Sequence, residues 1–214
     1  PTGESASPAF ERVKQRLADK PSLLTAVGNW LHRTPIRGSQ PESDDDAAVV
    51  DGFLEDYMVA LRKATDSTIA EVLDTGLMPE DRVHARYDAE IEQARDFFFS
   101  DDLRLRRIRA AVLFIESYRE LPLLAWPRKL LAKLVELEQA MVIFRQRHAR
   151  MVERVIGRRI GTGGSSGVDY LDETALKYRV FKDLWSVRTF QIPTDALPVL
   201  EDPSPYDFSE RFDT

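Results

Sequence analysis

The chain has 214 residues, 43% of them hydrophobic and 31% charged, an ordinary globular balance with enough apolar material for a sizeable core. Its net charge of -6 argues against a general binder of nucleic acid or of anionic membrane surfaces. It contains no cysteine, which excludes disulfides, thiolate metal ligands and cysteine nucleophiles and fits a reducing cytoplasm.

No apolar run approaches the roughly 18 residues of a membrane span, and no basic-then-apolar signal segment opens the sequence. The first residue is Pro1, so the sequence reads either as a chain that has lost its initiator or as one whose front is missing.

Residues 1–7 are small and polar and read as a frayed lead-in. Phe10, Val13 and Leu17 have helical spacing, interrupted at Lys20-Pro21. Ser22 is a capping residue for a second helix with Leu24, Val27 and Leu31 on one side, closed by Thr34-Pro35. A polar loop over 37–46 brings aspartates to the start of the next helix, predicted over 47–74 from Val50, Leu54, Tyr57, Leu61, Thr68 and Val72. Beyond Gly76 to Pro79, the spacing of Val83, Tyr87, Ile91, Ala94 and Phe98 predicts another helix. Ser100, Asp101 and Asp102 then offer caps for a helix presenting Leu105, Ile108, Val112 and Ile115.

Leu121-Pro122 stops that helix. Trp126-Pro127 opens the longest one, with proline at a tolerated first-turn position. Its apolar seam is Leu134, Leu137, Met141, Phe144, His148, Met151 and Val155, spaced alternately by three and four, which predicts a helix to Ile156 ended at Gly157. The seam is expected to face inward and to carry His148 with it. A glycine-rich loop, Gly161 to Gly167, follows, then shorter helical pieces over 170–178 and 180–187. The acidic, proline-rich tail from Pro193 is expected to lie over the body without a core of its own. No strand-turn-strand pattern appears, so the expected fold is all-α, a helical bundle of long amphipathic helices forming one domain over residues 1–214.

His148 sits where a packing helix would place Leu or Met. It reads either as a core histidine hydrogen-bonded to a neighbour or as a single axial ligand to heme iron. A zinc site would want several ligands, and His32 and His84 are far off in sequence. Arg147, Arg150, Arg154 and Arg158 line the adjoining face, as a solvated stripe near a helix C-terminus or as partners for propionates or an acidic neighbouring surface. The loop Gly161-Thr162-Gly163-Gly164-Ser165-Ser166-Gly167 follows a helix and lacks the lysine of a phosphate-binding loop. It reads either as a flexible linker or as backbone that can approach a ligand closely, with hydroxyls beside it.

The run HARMVERVIG followed by GTGGSSGVDYL resembles the signature of the tryptophan 2,3-dioxygenase family. The likeness extends back through LLAKLVELEQAMVIFRQRH, forward through KYRVFKDLWSVRTFQIP, and to SLLTAVGNWLHRTPI near the front. It covers roughly Ser22 to Pro193 and is dense from about Arg106 onward. The resemblance implies an all-α oxidoreductase that binds heme b and inserts both atoms of O2 across the indole C2–C3 bond of L-tryptophan. The product would be N-formylkynurenine, on the kynurenine pathway of tryptophan catabolism. It also implies a homotetramer; a cytoplasmic location and the absence of nucleic-acid and membrane partners are expected from the lack of cysteine, the net charge and the lack of a long apolar run. His148 would be the axial ligand of the heme iron, and Thr162 would contact the amino-acid end of tryptophan; no catalytic side chain is assigned.

Two departures accompany the likeness. Where the family has a WRYRH-like run, this chain has Phe144-Arg145-Gln146-Arg147-His148, so Gln146 is expected to alter hydrogen bonding around the ligand. The family's distal histidine, indole-pocket aromatics and carboxylate-clamping arginine find no match here. Residues 1–214 are therefore expected to form only part of the family's active site. A monooxygenase acting on another indole, and a catalytically silent heme-binding helical protein, remain the alternatives.

Overall fold

The computed structural model of the chain describes residues 8–157, 168, 171, 173, 177 and 179–208. Its helices are α1 (Pro8–Asp19), α2 (Leu23–His32), α3 (Asp46–Asp74), α4 (Glu80–Phe98), α5 (Leu103–Ser117), α6 (Ala125–Ile156) and α7 (Lys182–Thr189). No strand occurs among the described residues, so the expectation of an all-α fold is met. No helix among them is long and apolar enough to cross a membrane.

The helix starts follow local chemistry. The Ser22 hydroxyl accepts from the Thr25 amide at the head of α2, and the Asp102 carboxylate accepts from the Leu105 amide at the head of α5. Each satisfies an amide that has no partner inside its own helix.

The helices are organised around α5, which packs against α2, α3, α4, α6 and α7. Its residues Ala110, Ala111, Val112, Leu113, Phe114 and Ile115 are each 0–1% exposed, so this stretch has no solvent face at all. The periodic reading of Leu105, Ile108, Val112 and Ile115 captured one side only. Alanines and Phe114 fill the others, which is how a helix comes to lie inside a core. Phe114 meets Phe53 of α3 edge-on at 5.5 Å between ring centres and Tyr206 of the tail at 5.2 Å.

The charges of α5 leave through neighbouring elements. Arg107, itself buried, donates to the carbonyls of His32 (2.8 Å) and Thr34 (3.1 Å) and pairs with Asp46 at the head of α3 (2.8 Å). Arg106 donates to both oxygens of Asp51, and Arg109 reaches the Phe97 carbonyl and Asp183 of α7. These bonds offset much of the cost of burying the guanidinium groups, although Arg107 Nη1 meets Asp46 as an ion pair without a hydrogen bond and Arg109 Nε has no hydrogen-bond partner among the described residues.

The tail has no core of its own but contributes to the main one. Tyr206 is buried in the main core, its hydroxyl donating to the Pro35 carbonyl and accepting from the Gly38 amide. Tyr118 donates to the carbonyl of Pro198. Tyr57 donates to the carbonyl of Phe190 and accepts from the amide of Ile192. Three phenols thus hold the segment after α7 to the body, and a proline-rich composition hid that role.

Burial raises all three phenol pKa values, Tyr57 to about 12 from an ordinary 10.0. The unfolded chain ionises these groups first, so their contribution is complete below pH 10 and is lost as pH rises toward 12. For Tyr57 alone the loss amounts to roughly 2–3 kcal/mol. Urea unfolding between pH 8 and 11.5 is expected to show stability falling above pH 10, and falling less steeply in Tyr57→Phe; equal slopes in the two proteins would contradict this.

Candidate functional site

Helix α6 carries two adjacent stripes. The buried one is Leu131, Val135, Glu138 and Ala149, with Val142 and Arg145 partly buried between them. The apolar seam picked out in the sequence lies one residue ahead of it at each step, about 100° around the helix. Leu134 at its start is buried, but the seam then turns to the surface: Phe144 is 70% and Val155 79% exposed, and Leu137, Met141 and Met151 are exposed too.

The expectation that His148 faces inward is therefore corrected. His148 is exposed, its ring lying nearly parallel to that of Phe144 one turn earlier, 6.2 Å between centres at 11°. Periodicity could not choose between two neighbouring stripes that are both largely apolar. Packing chose the one whose Ala149 permits close approach and whose Glu138 finds buried donors.

Around the helix from His148, Gln146, Arg147, Arg150, Met151, Arg154 and Val155 line a shallow groove of about 530 Å³. Arg150 pairs with Glu153, whereas Arg147 and Arg154 have no ion-pair partner among the described residues. Gln146 lies about 200° around the helix from His148. It faces the arginine groove, which turns it away from the histidine ring it was expected to influence.

Gly157 ends α6 with φ 65° and ψ -158°, a conformation essentially restricted to glycine, and donates to the Glu153 carbonyl. Thr162 and the rest of the glycine loop lie outside the described residues, as does Arg158. No group of three or more His, Cys, Asp or Glu able to hold a metal ion occurs among the described residues. A metal bound through His148 would thus take one ligand from this part of the chain.

The sequence pattern of the family described as tryptophan 2,3-dioxygenase matches residues 7–191. The chain belongs to that family. It is 50% identical over 94% of its length to a tryptophan 2,3-dioxygenase of Sorangium cellulosum, and 46% identical over 99% to tryptophan 2,3-dioxygenase 2 of Ralstonia nicotianae. A tryptophan 2,3-dioxygenase-like protein of Xanthomonas campestris is 47% identical over 96% of the chain. The chain spans 50%, 58% and 78% of the lengths of these three relatives, about half of the first.

In this family member one residue that the sequence reading passed over holds α7 in place. The buried carboxylate of Glu138 accepts from the Phe181 amide (2.7 Å) and from the indole N–H of Trp185. The start of α7 is thereby tied to α6, ten residues ahead of His148. An acidic residue in register with Leu131, Val135 and Ala149 was the available signal.

Removing the carboxylate strands two largely buried N–H groups. Glu138→Ala is expected to lose about 2–4 kcal/mol and Glu138→Gln, which keeps an acceptor, about half as much. Chemical denaturation followed by tryptophan fluorescence reads this directly. A wild-type midpoint for Glu138→Ala would show that the clamp contributes nothing.

Proposed function

We propose that this chain is the heme-carrying part of a tryptophan 2,3-dioxygenase, with His148 as the axial ligand of heme b. The observation that carries the reading is the outward stripe of α6: exposed apolar side chains with one histidine among them, in a member of this family. Such a surface favours a cover that is flat and apolar and accepts a nitrogen ligand.

The residues present suit that group. The His148 ring is accessible, and Phe144 against its face favours one ring orientation. Met141, Met151 and Val155 offer apolar contact, and Arg147 and Arg154, without an ion-pair partner among the described residues, offer cations for propionates. When bound, heme would supply the redox chemistry by which both atoms of O2 enter the indole C2–C3 bond of L-tryptophan to give N-formylkynurenine.

The chain's own residues bind and orient. His148 holds the cofactor, and the Thr162 hydroxyl, presented by glycines, hydrogen-bonds the carboxylate or ammonium of tryptophan. The side of the pocket facing the indole is supplied by polypeptide beyond residues 1–214, because the family's distal motifs have no match here. A homotetramer in the cytoplasm completes the reading, as does the treatment of residues 1–214 as one domain.

The test is the absorption spectrum after heme reconstitution, oxidised and reduced. His148→Ala is expected to lose stable heme uptake or to recover it with added imidazole. Wild-type heme content with an unchanged spectrum would remove the assignment. The reconstituted chain alone is expected to form no N-formylkynurenine until the missing polypeptide is supplied, and robust turnover without it would refute that part.

Thr162→Ala, examined in the complete enzyme, is expected to weaken tryptophan use by about tenfold or more, the worth of a hydrogen bond to a charged group. Indoles lacking the amino-acid group should be much less affected. Equal losses for both substrate types would make the loop's role structural.

A further inference from the structure

A second concave site lies between α2, α5 and the first turn of α7, with a volume of about 540 Å³. That is within the usual range for small-molecule pockets. No described residue of α6 lines it, so it is distinct from the His148 face. Its floor is built from Val27, Leu31, Ile108, Val112 and Leu184, branched aliphatics, with Phe181 the one aromatic ring among the described lining residues.

The rim is cationic. Arg104, Arg179 and Lys182 surround the floor. Arg104 is engaged by the neutral side-chain oxygen of Asn29, and Arg179 lies over the Trp185 ring at 5.5 Å. Lys182 has no ion-pair partner among the described residues. Asp183 is the one acidic residue among those lining the groove, and it is already paired with Arg109 at 3.3 Å.

Gly28 gives an independent indication. It lies inside α2, where glycine is among the least favourable residues. A methyl group there would meet only Ile108 Cδ1, at 3.7 Å, an ordinary contact. Packing of α2 on α5 therefore does not require a glycine, and the missing side chain leaves open volume in the groove.

We propose that this groove binds an aliphatic monocarboxylate of the fatty-acid class, its chain along the floor and its carboxylate among Arg104, Arg179 and Lys182. The aliphatic lining favours a flexible hydrocarbon over a stacked ring, and the excess of cations favours an anion. The proposal stands independently of the heme reading.

Decanoate titrated into the natural full-length protein by calorimetry provides the test, with decanol and indole-3-acetate as comparison ligands. The expected result is saturable binding of one decanoate per chain, with decanol and indole-3-acetate each about tenfold weaker or worse. Gly28→Met is expected to block binding by filling the floor. Arg104→Glu with Lys182→Glu is expected to weaken it at least tenfold while leaving the floor intact, which keeps the proposal testable should Gly28→Met fail to fold. Phe144→Ser, on the exposed face of α6, is expected to leave decanoate affinity unchanged. The proposal is overturned by absence of saturable binding, by equal affinity for decanol, by tighter binding of indole-3-acetate, or by unchanged affinity in the charge-reversed protein. A loss in Phe144→Ser matching that of the groove variants would place the ligand on α6 and overturn it as well.

Discussion

A helix with no solvent face is the constraint on which the rest of this structure depends. Over Ala110 to Ile115 every side chain of α5 is enclosed, so every neighbouring helix is positioned by contact with it. In the first half of the same helix Arg104 stays exposed, whereas Arg106, Arg107 and Arg109 are drawn inward and bond to the elements they touch. Arg107 binds the carbonyls that follow α2 and the carboxylate that opens α3, while Arg106 and Arg109 reach further along α3, to the end of α4 and to α7. Apolar contact brings the helices together, and these directional bonds set their register. Replacing one such arginine by an apolar residue would leave carbonyls and carboxylates unpaired on two or three different elements at once.

Helix α6 divides its circumference between two tasks. One stripe enters the core and carries Glu138, whose carboxylate holds the start of α7. The stripe beside it stays apolar and open, with His148 and Phe144 stacked upon it. Because a helix is stiff, anchoring the first stripe determines where the second points. The direction of the open stripe is thus set by packing on the other side of the same rod. The arginines on the remaining arc place positive charge beside the apolar surface without interrupting it.

What the sequence disclosed follows from the range of the interactions involved. Helix starts at Ser22 and Asp102 and the stop at Gly157 were legible because a cap or a left-handed residue acts within a few positions. The all-α class was legible from periodicity, and the run from His148 through the GTGGSSG loop carried the family. The direction faced by the His148 seam was not legible, since two apolar stripes one residue apart have the same period and only tertiary contact separates them. Glu138, Arg107 and Tyr206 were missed for a related reason. Their partners lie on distant parts of the chain, and their residue types suggest surface or tail until those partners are known.

The three phenol anchors of the C-terminal segment also impose an order in time. Tyr57 is synthesised 133 residues before the carbonyl it donates to, and the Pro35 carbonyl 171 residues before the tyrosine that bonds it. None of these bonds can form until the C-terminal segment has been synthesised, so until then the groups on α3, α5 and the loop after α2 have only water as a partner. Contacts of such long sequence separation form late and rest on structure already assembled. Docking of residues 190–206 completes the enclosure of the Phe114 end of the core, where Tyr206 packs against that ring.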